Sequence, residues 1–181
     1  MFVWKTIREW LIYMLCSFLF ILIVGMYVFQ PIKVEGHSMD PTLQDNQKVY
    51  MHKLNHTFSR TPDYGQIVVI DSRLEKSRTI ADEFLDTPIV RLFVRSDNPY
   101  LWIKRVIALP GDEIIVKDFK VFLNGSPIDE PYLNEVMSTP LEQKWVIPEG
   151  YVFVMGDNRN FSKDSRIIGL IPIDHIIGTK I

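Results

Sequence analysis

Residues 102–125 read WIKRVIALPGDEIIVKDFKVFLNG, and this stretch decides the fold. Three short runs rich in β-branched and aromatic residues follow one another: Trp102–Ile107, Glu113–Val116 and Lys120–Leu123. Pro110-Gly111-Asp112 separates the first run from the second, and Asn124-Gly125 is a strong two-residue hairpin signal. Working outward, Lys48–Met51, Ile67–Ile70 and Tyr151–Met155 are runs of the same kind. Past residue 31 no long stretch has helical periodicity. Ile80–Leu85 is the one short helical piece expected, inside a charged stretch, residues 71–98, that reads as an exposed insertion. The fold class expected is mainly β, an antiparallel and strongly coiled sheet built as a sandwich or a partly open barrel.

The N-terminal part is of another kind. From Trp10 to Phe29 the chain reads WLIYMLCSFLFILIVGMYVF, twenty residues without a charge. A helix of that length spans about 30 Å, the thickness of a bilayer's hydrocarbon core. A cleavable secretory segment has a shorter apolar run ending in small residues, whereas this run leads into Gln30, Pro31, Ile32 and Lys33. The expected organisation is a tail over residues 1–9, a transmembrane helix over 10–29 and a β-rich domain over 30–181. Lys5 and Arg8 before the span, against Lys33 after it, favour a cytoplasmic N-terminus and an extracytoplasmic domain.

The 181 residues carry a net charge of -2, without the basic excess of a protein that coats nucleic acid. With 47% hydrophobic and 23% charged residues the chain supplies a core, which excludes disorder. One cysteine, Cys16, excludes an intramolecular disulfide, and His37, His52, His56 and His175 have no metal-ligand spacing.

Three segments hold candidate chemistry. Val34-Glu35-Gly36-His37-Ser38-Met39-Asp40-Pro41-Thr42-Leu43 follows the apolar span, and a lone serine there is ordinarily a turn former. In Ile103–Asp112, Lys104 lies in an apolar run, on one strand face with Trp102 and Val106. Otherwise it is an edge-strand lysine that discourages further pairing. Met155–Arg166 (MGDNRNFSKDSR) reads either as a charge-paired loop or as part of a site.

In this order, behind an apolar N-terminal span, the three segments resemble bacterial type I signal peptidases, membrane-bound serine proteases of the Ser–Lys class. KRVIALPGD and GDNRNFSKDSR are the specific motifs; Gly65–Val69 and Val121–Leu133 resemble two further family elements. The single span resembles the Gram-positive form, and a lysine at 104, rather than a histidine, the bacterial type. The resemblance implies Ser38 as nucleophile, Lys104 as general base, Ser162 as the hydroxyl that orients the lysine, and the Ser38 backbone N–H as an oxyanion donor. Arg105, Asp157, Asp164 and Arg166 match scaffolding positions. Ile32, Val34, Met39, Leu43, Trp102 and Ile103 would line shallow apolar pockets for the residues before the cut. Gly36 stands where some members carry a serine that completes the oxyanion hole, Asn160-Phe161 replaces Asp-Asn, and Ala108 replaces a glycine.

The dyad also has a physical rationale. A serine hydroxyl needs a base, and a lysine with a reference pKa of ~10.4 becomes one near neutrality only when burial penalises its ammonium. His37 is badly placed for that role, since neighbours in extended chain point to opposite faces. GHSMD also lacks the second glycine of a nucleophile elbow. The partners implied are secretory preproteins and a lipid bilayer, with no nucleic acid, cofactor or metal. Two other classes compete. A catalytically silent binding homologue is disfavoured by the intact Ser38, Lys104 and Ser162. A self-cleaving Ser–Lys repressor is disfavoured because only an apolar span precedes Ser38.

Overall fold

The structure is a computed structural model describing residues 2–54, 60–76, 78–85, 87, 90 and 99–181. His56 and much of the expected insertion lie outside the described residues. Helix α1 covers Phe2–Tyr27. It begins eight residues before the expected span and ends two before its close, because Phe29 already belongs to a strand. Trp4–Tyr27 is long and apolar enough to cross a membrane, and its side chains are almost all exposed.

Among the described residues eleven strands follow: β1 Phe29–Lys33, β2 Lys48–His52, β3 Ile67–Asp71, β4 Leu101–Ala108, β5 Glu113–Lys117, β6 Lys120–Leu123, β7 Ser126–Pro127, β8 Gln143–Val146, β9 Tyr151–Met155, β10 Ile171–Pro172 and β11 Ile176–Lys180. Helix α2, Ile80–Leu85, lies between β3 and β4, and α3, Ser165–Ile168, between β9 and β10. One sheet runs β1-β2-β11-β3-β4-β9-β10 and a second β7-β6-β5-β8, with every pairing antiparallel. The fold is mainly β with curled antiparallel sheets, as its alternating runs require.

The hairpins follow turn chemistry. Asn124 and Gly125, at φ 52° and 83°, join β6 to β7, as that dipeptide demands. Asp118 and Phe119, at φ 49° and 61°, join β5 to β6 without any such signal in their side chains. Asp112 seals the preceding corner, accepting the Leu109 N–H at 2.7 Å, the Tyr64 hydroxyl at 2.8 Å and the Asn124 amide at 2.8 Å.

The core falls into three clusters. Ile32, Val34, Met39, Leu43, Val49 and Met51 pack with Val69 and Ile177 under the curl of the large sheet. Val68, Ile70, Val106, Val152 and Val154 form a layer with Ile171 and Ile176. Ile114, Val116 and Val121 of the small sheet pack with Phe153 and Met155. The expected insertion departs from an exposed segment at its start. Asp71 ends β3 fully buried, accepting from Arg73 at 2.6 Å and Arg78 at 3.1 Å, and Thr87 is buried as well.

Candidate active site

Ser38 sits in the loop between β1 and β2, and backbone bonds close that loop on both sides. Val34 N–H donates to Gln47 O at 2.8 Å, Asn46 N–H to Val34 O at 2.9 Å and Leu43 N–H to Met39 O at 2.9 Å. Met39 and Leu43 bury completely beneath it. Gly36 has φ 84°, a left-handed conformation that glycine adopts without strain and serine does not. Its N–H donates to Asp45 Oδ1 at 2.9 Å.

Lys104 reaches Ser38 from the neighbouring part of the sheet. It lies in β4 opposite Val68, and its residue is 3% exposed. Its Nζ donates to Ser38 Oγ at 2.8 Å and to Ile103 O at 3.0 Å. Burial lowers its pKa to about 8, outweighing the opposing influence of Asp164 and Asp157. Those two carboxylates engage arginines instead. Asp157 accepts from Arg105 Nε at 2.8 Å and Nη2 at 2.6 Å, and Arg105 also donates to Gly65 O at 2.8 Å. Asp164 accepts from Arg166 Nε and Nη2, both at 2.8 Å, and from Gly156 N–H at 3.0 Å. Bidentate pairs of this kind fix orientation as well as charge.

Ser162 does not make the bond to Lys104 that the family resemblance implies. Its Oγ is buried without a hydrogen-bond partner. The hydroxyl fills the space beside Gly156, where a Cβ would stand 2.2 Å from Ser162 Oγ and 2.4 Å from Ser38 O. The absent side chain of Gly156 is therefore what lets Ser162 and the Ser38 backbone come together.

A cleft of about 110 Å³ opens beside Ser38 and Lys104. Ile32, Val34 and Met39 line one wall, and Leu101, Trp102 and Ile103 the other. Lys33 and Glu35 also line it, so charge is present along its rim, unlike the purely apolar pocket expected. Leu43 is not among the lining residues; it is core, spent on anchoring the Ser38 loop. Leu101–Lys104 pair with β3 alone among the described residues, because β9 joins β4 only from Arg105 onward. One edge of that segment faces the cleft unpaired in the sheet.

His37 and His175 point elsewhere. His37 Nδ1 contacts Asp40 Oδ2 at 2.9 Å, with the His37 side chain 69% exposed. His175 Nδ1 contacts Asp71 O at 3.3 Å. Among the described residues no group of three or more His, Cys, Asp or Glu side chains could hold a metal ion.

Several residues that matter to the site carried no assignment from sequence. Asn158 donates its backbone N–H to Ser38 O and its side-chain amide to His37 O, both at 3.0 Å. Arg159, fully buried, donates to Gly156 O at 3.1 Å and pairs with Glu130 at 2.8 Å. Both lie inside the Met155–Arg166 motif, which is the signal that could have found them; the partners lie far away along the chain.

The model of the signal peptidase, peptidase S26 family matches residues 7–181. Signal peptidase IB of Staphylococcus aureus (strain COL) is 32% identical over 191 residues, covering 96% of this chain and 87% of the relative. Signal peptidase I of Bacillus licheniformis is 33% identical over 189 residues, covering 97% and 87%. The crystal structure of a signal peptidase I from Enterococcus faecalis V583 aligns at 24% identity with a TM-score of 0.47, over 66% of this chain and 97% of that one. Matched from residue 7 to its last residue, the chain belongs to the signal peptidase family, peptidase S26, and is a serine protease of that family.

Proposed function

We propose that the chain is a membrane-anchored endopeptidase that removes signal peptides from secreted preproteins, with Ser38 as nucleophile and Lys104 as general base. The 2.8 Å contact between Lys104 Nζ and Ser38 Oγ, inside an apolar surrounding, carries this reading. With Lys104 neutral, the hydroxyl donates to the amine lone pair along the same contact. Ser38 Oγ then attacks the scissile carbonyl, its proton passes to Lys104, and Lys104 returns it to the leaving amine. A water activated by the same amine hydrolyses the ester to free Ser38. The Ser38 N–H is the oxyanion donor. Arg105–Asp157 and Arg166–Asp164 hold β4, β9 and the Gly156 turn around the pair, and Ser162 packs beside them. Helix α1 is the anchor, with residues 1–9 cytoplasmic and the β-domain, from residue 30 on, extracytoplasmic.

The substrate lies extended between residues 32–35 and the open edge of β4, a strand added to a sheet. Alternate side chains then point into the apolar walls, so the first and third residues before the cut face Val34, Met39 and Ile103 and are small. Alanine at both positions supports cleavage, while Phe or Lys at the first position nearly stops it; the second position varies freely. Incubating the detergent-solubilised protein with such preproteins and sequencing the new N-termini tests both the activity and this pattern. A second position stricter than the first would overturn the pocket assignment, and cleavage at unrelated sites would overturn the function.

The pH profile follows from burial of Lys104. Only the neutral amine accepts a proton, so kcat/KM rises with pH along a limb of unit slope centred near 8. A limb near the ~6.5 of an ordinary histidine, lost on His37→Ala, would reject Lys104 as the base. Because its folded pKa is depressed, the native state binds fewer protons than the unfolded chain above pH 8. Stability from this group therefore rises with pH between about 8 and the unfolded value.

A further inference from the structure

A second cleft lies against the Ser38 loop. It is lined by Asp40, two residues after the nucleophile, by Asn158, whose N–H holds the Ser38 carbonyl, and by Asn134 and Glu135 from the β7–β8 connection. No residue of this cleft lines the one beside Trp102 and Ile103. On the peptidase reading above, the residues before the cut occupy the first cleft, which leaves the second for the residues after the bond.

One side chain, Asn160, bonds the segment that brings Glu135 to that second cleft. Asn160 Oδ1 accepts from Ser138 N–H at 2.8 Å and Ser138 Oγ at 3.0 Å. Its Nδ2 donates to Val136 O at 3.1 Å and Glu135 Oε2 at 3.3 Å. A single amide thus uses both its acceptor and its donors to tie residues 135–138 to the Gly156–Ser162 segment. Glu135, which lines the cleft, and Val136 are exposed, and Met137 after them is buried in the core, so Asn160 is what bonds the exposed end of this segment. An aspartate at 160 keeps the acceptor, loses both donors and sets a carboxylate against that of Glu135.

We propose that Asn160 is a positioning residue for the part of the substrate that follows the cut, acting through Glu135, which lines the cleft beside Asp40 and Asn158. This rests on the Ser38–Lys104 peptidase reading above. Asn160 touches neither reacting group; it sets the shape of the surface on which the leaving segment lies.

The test compares two substrates on the full-length protein in detergent micelles. One is a signal-peptide segment continued by ten residues of mature sequence. The other is the same segment ending in a fluorogenic amide directly after the cut. Asn160→Asp raises KM for the long substrate by roughly tenfold, as expected for two lost hydrogen bonds and a new like-charge contact, while kcat/KM for the short one changes by less than about twofold. Adding Glu135→Gln to Asn160→Asp removes the repulsion and recovers most of the loss. Asn160→Ala, which introduces no charge, shows the same selectivity for the long substrate and serves if the aspartate variant does not fold. Equal losses on both substrates, or no loss on the long one, overturn the proposal. Failure of the unsubstituted protein to cut either substrate instead overturns the peptidase reading on which it rests.

Discussion

Ser38→Ala and Lys104→Ala each reduce cleavage of a preprotein by roughly 10⁴–10⁶-fold, and the double variant is no worse than either single one. The non-additivity is the informative part. Without Oγ there is no nucleophile for the amine to activate; without Nζ the hydroxyl stays protonated at its ordinary, high pKa. Lys104→Arg fails as completely as Lys104→Ala, since a guanidinium remains charged at any pH the protein survives. Stability separates this from unfolding. Removing a buried ionisable amine takes away a desolvation cost, so Lys104→Met keeps or raises the Tm while activity vanishes. His37→Ala, whose ring turns to Asp40 at the surface, leaves cleavage within about twofold. A Lys104→Ala protein retaining a tenth of its activity, with a dead His37→Ala, would reverse the assignment.

How much of this was legible beforehand depends on where each signal resides. β6 and β9 could be bounded from sequence at both ends because β-branched and aromatic residues alternate up to a turn residue. β1 is hidden: Phe29 closes an unbroken apolar run and Pro31 lacks an N–H, so nothing local marks five residues that pair with β2 throughout. β11 carries Gly178, which reads as a strand breaker. The glycine is required there because a Cβ would meet the His52 carbonyl at 2.8 Å where the strands close. β8 exposes three of its four residues and has too little apolar content to announce itself.

At the site, Ser38 and Lys104 are singled out by the motifs that resemble the family, since taken alone the serine reads as a turn former and the lysine as an edge-strand residue. Asn158 and Asp45 act on backbone groups, the carbonyls of His37 and Ser38 and the N–H of Gly36, and a backbone partner leaves no residue pattern to read. Arg159 and Glu130 form a buried pair 29 positions apart, which only the docking of the β7–β8 connection brings together. Leu43 is the reverse case. Four residues past Met39, it packs into the core beneath the loop, whereas the family resemblance implies a place in the pocket.

Gly156→Ala costs roughly 10²–10³-fold in kcat while leaving most of the fold intact. The added Cβ would stand 2.2 Å from Ser162 Oγ and 2.4 Å from Ser38 O, where ordinary contact begins near 3.4 Å, so at least one partner moves by about an ångström. The two partners are unequal. Ser162 also presents its Cβ at 2.5 Å, which side-chain rotation does not move, so that collision is lifted by a shift of the Ser162 segment or by removing the side chain. Ser38 O is backbone, held by the Asn158 N–H at 3.0 Å, and displacing it carries Oγ away from Lys104 Nζ. A misplacement of about 1 Å in a reacting group is enough to cost ~10²-fold. Combining Gly156→Ala with Ser162→Gly removes the first collision and not the second. The double variant therefore regains the thermal stability lost by Gly156→Ala but stays as inactive, measured by initial cleavage rates and by Tm on the same preparations. Recovery of activity to the level of Ser162→Gly alone would mean that crowding of Ser162, rather than displacement of the nucleophile's backbone, disables the site.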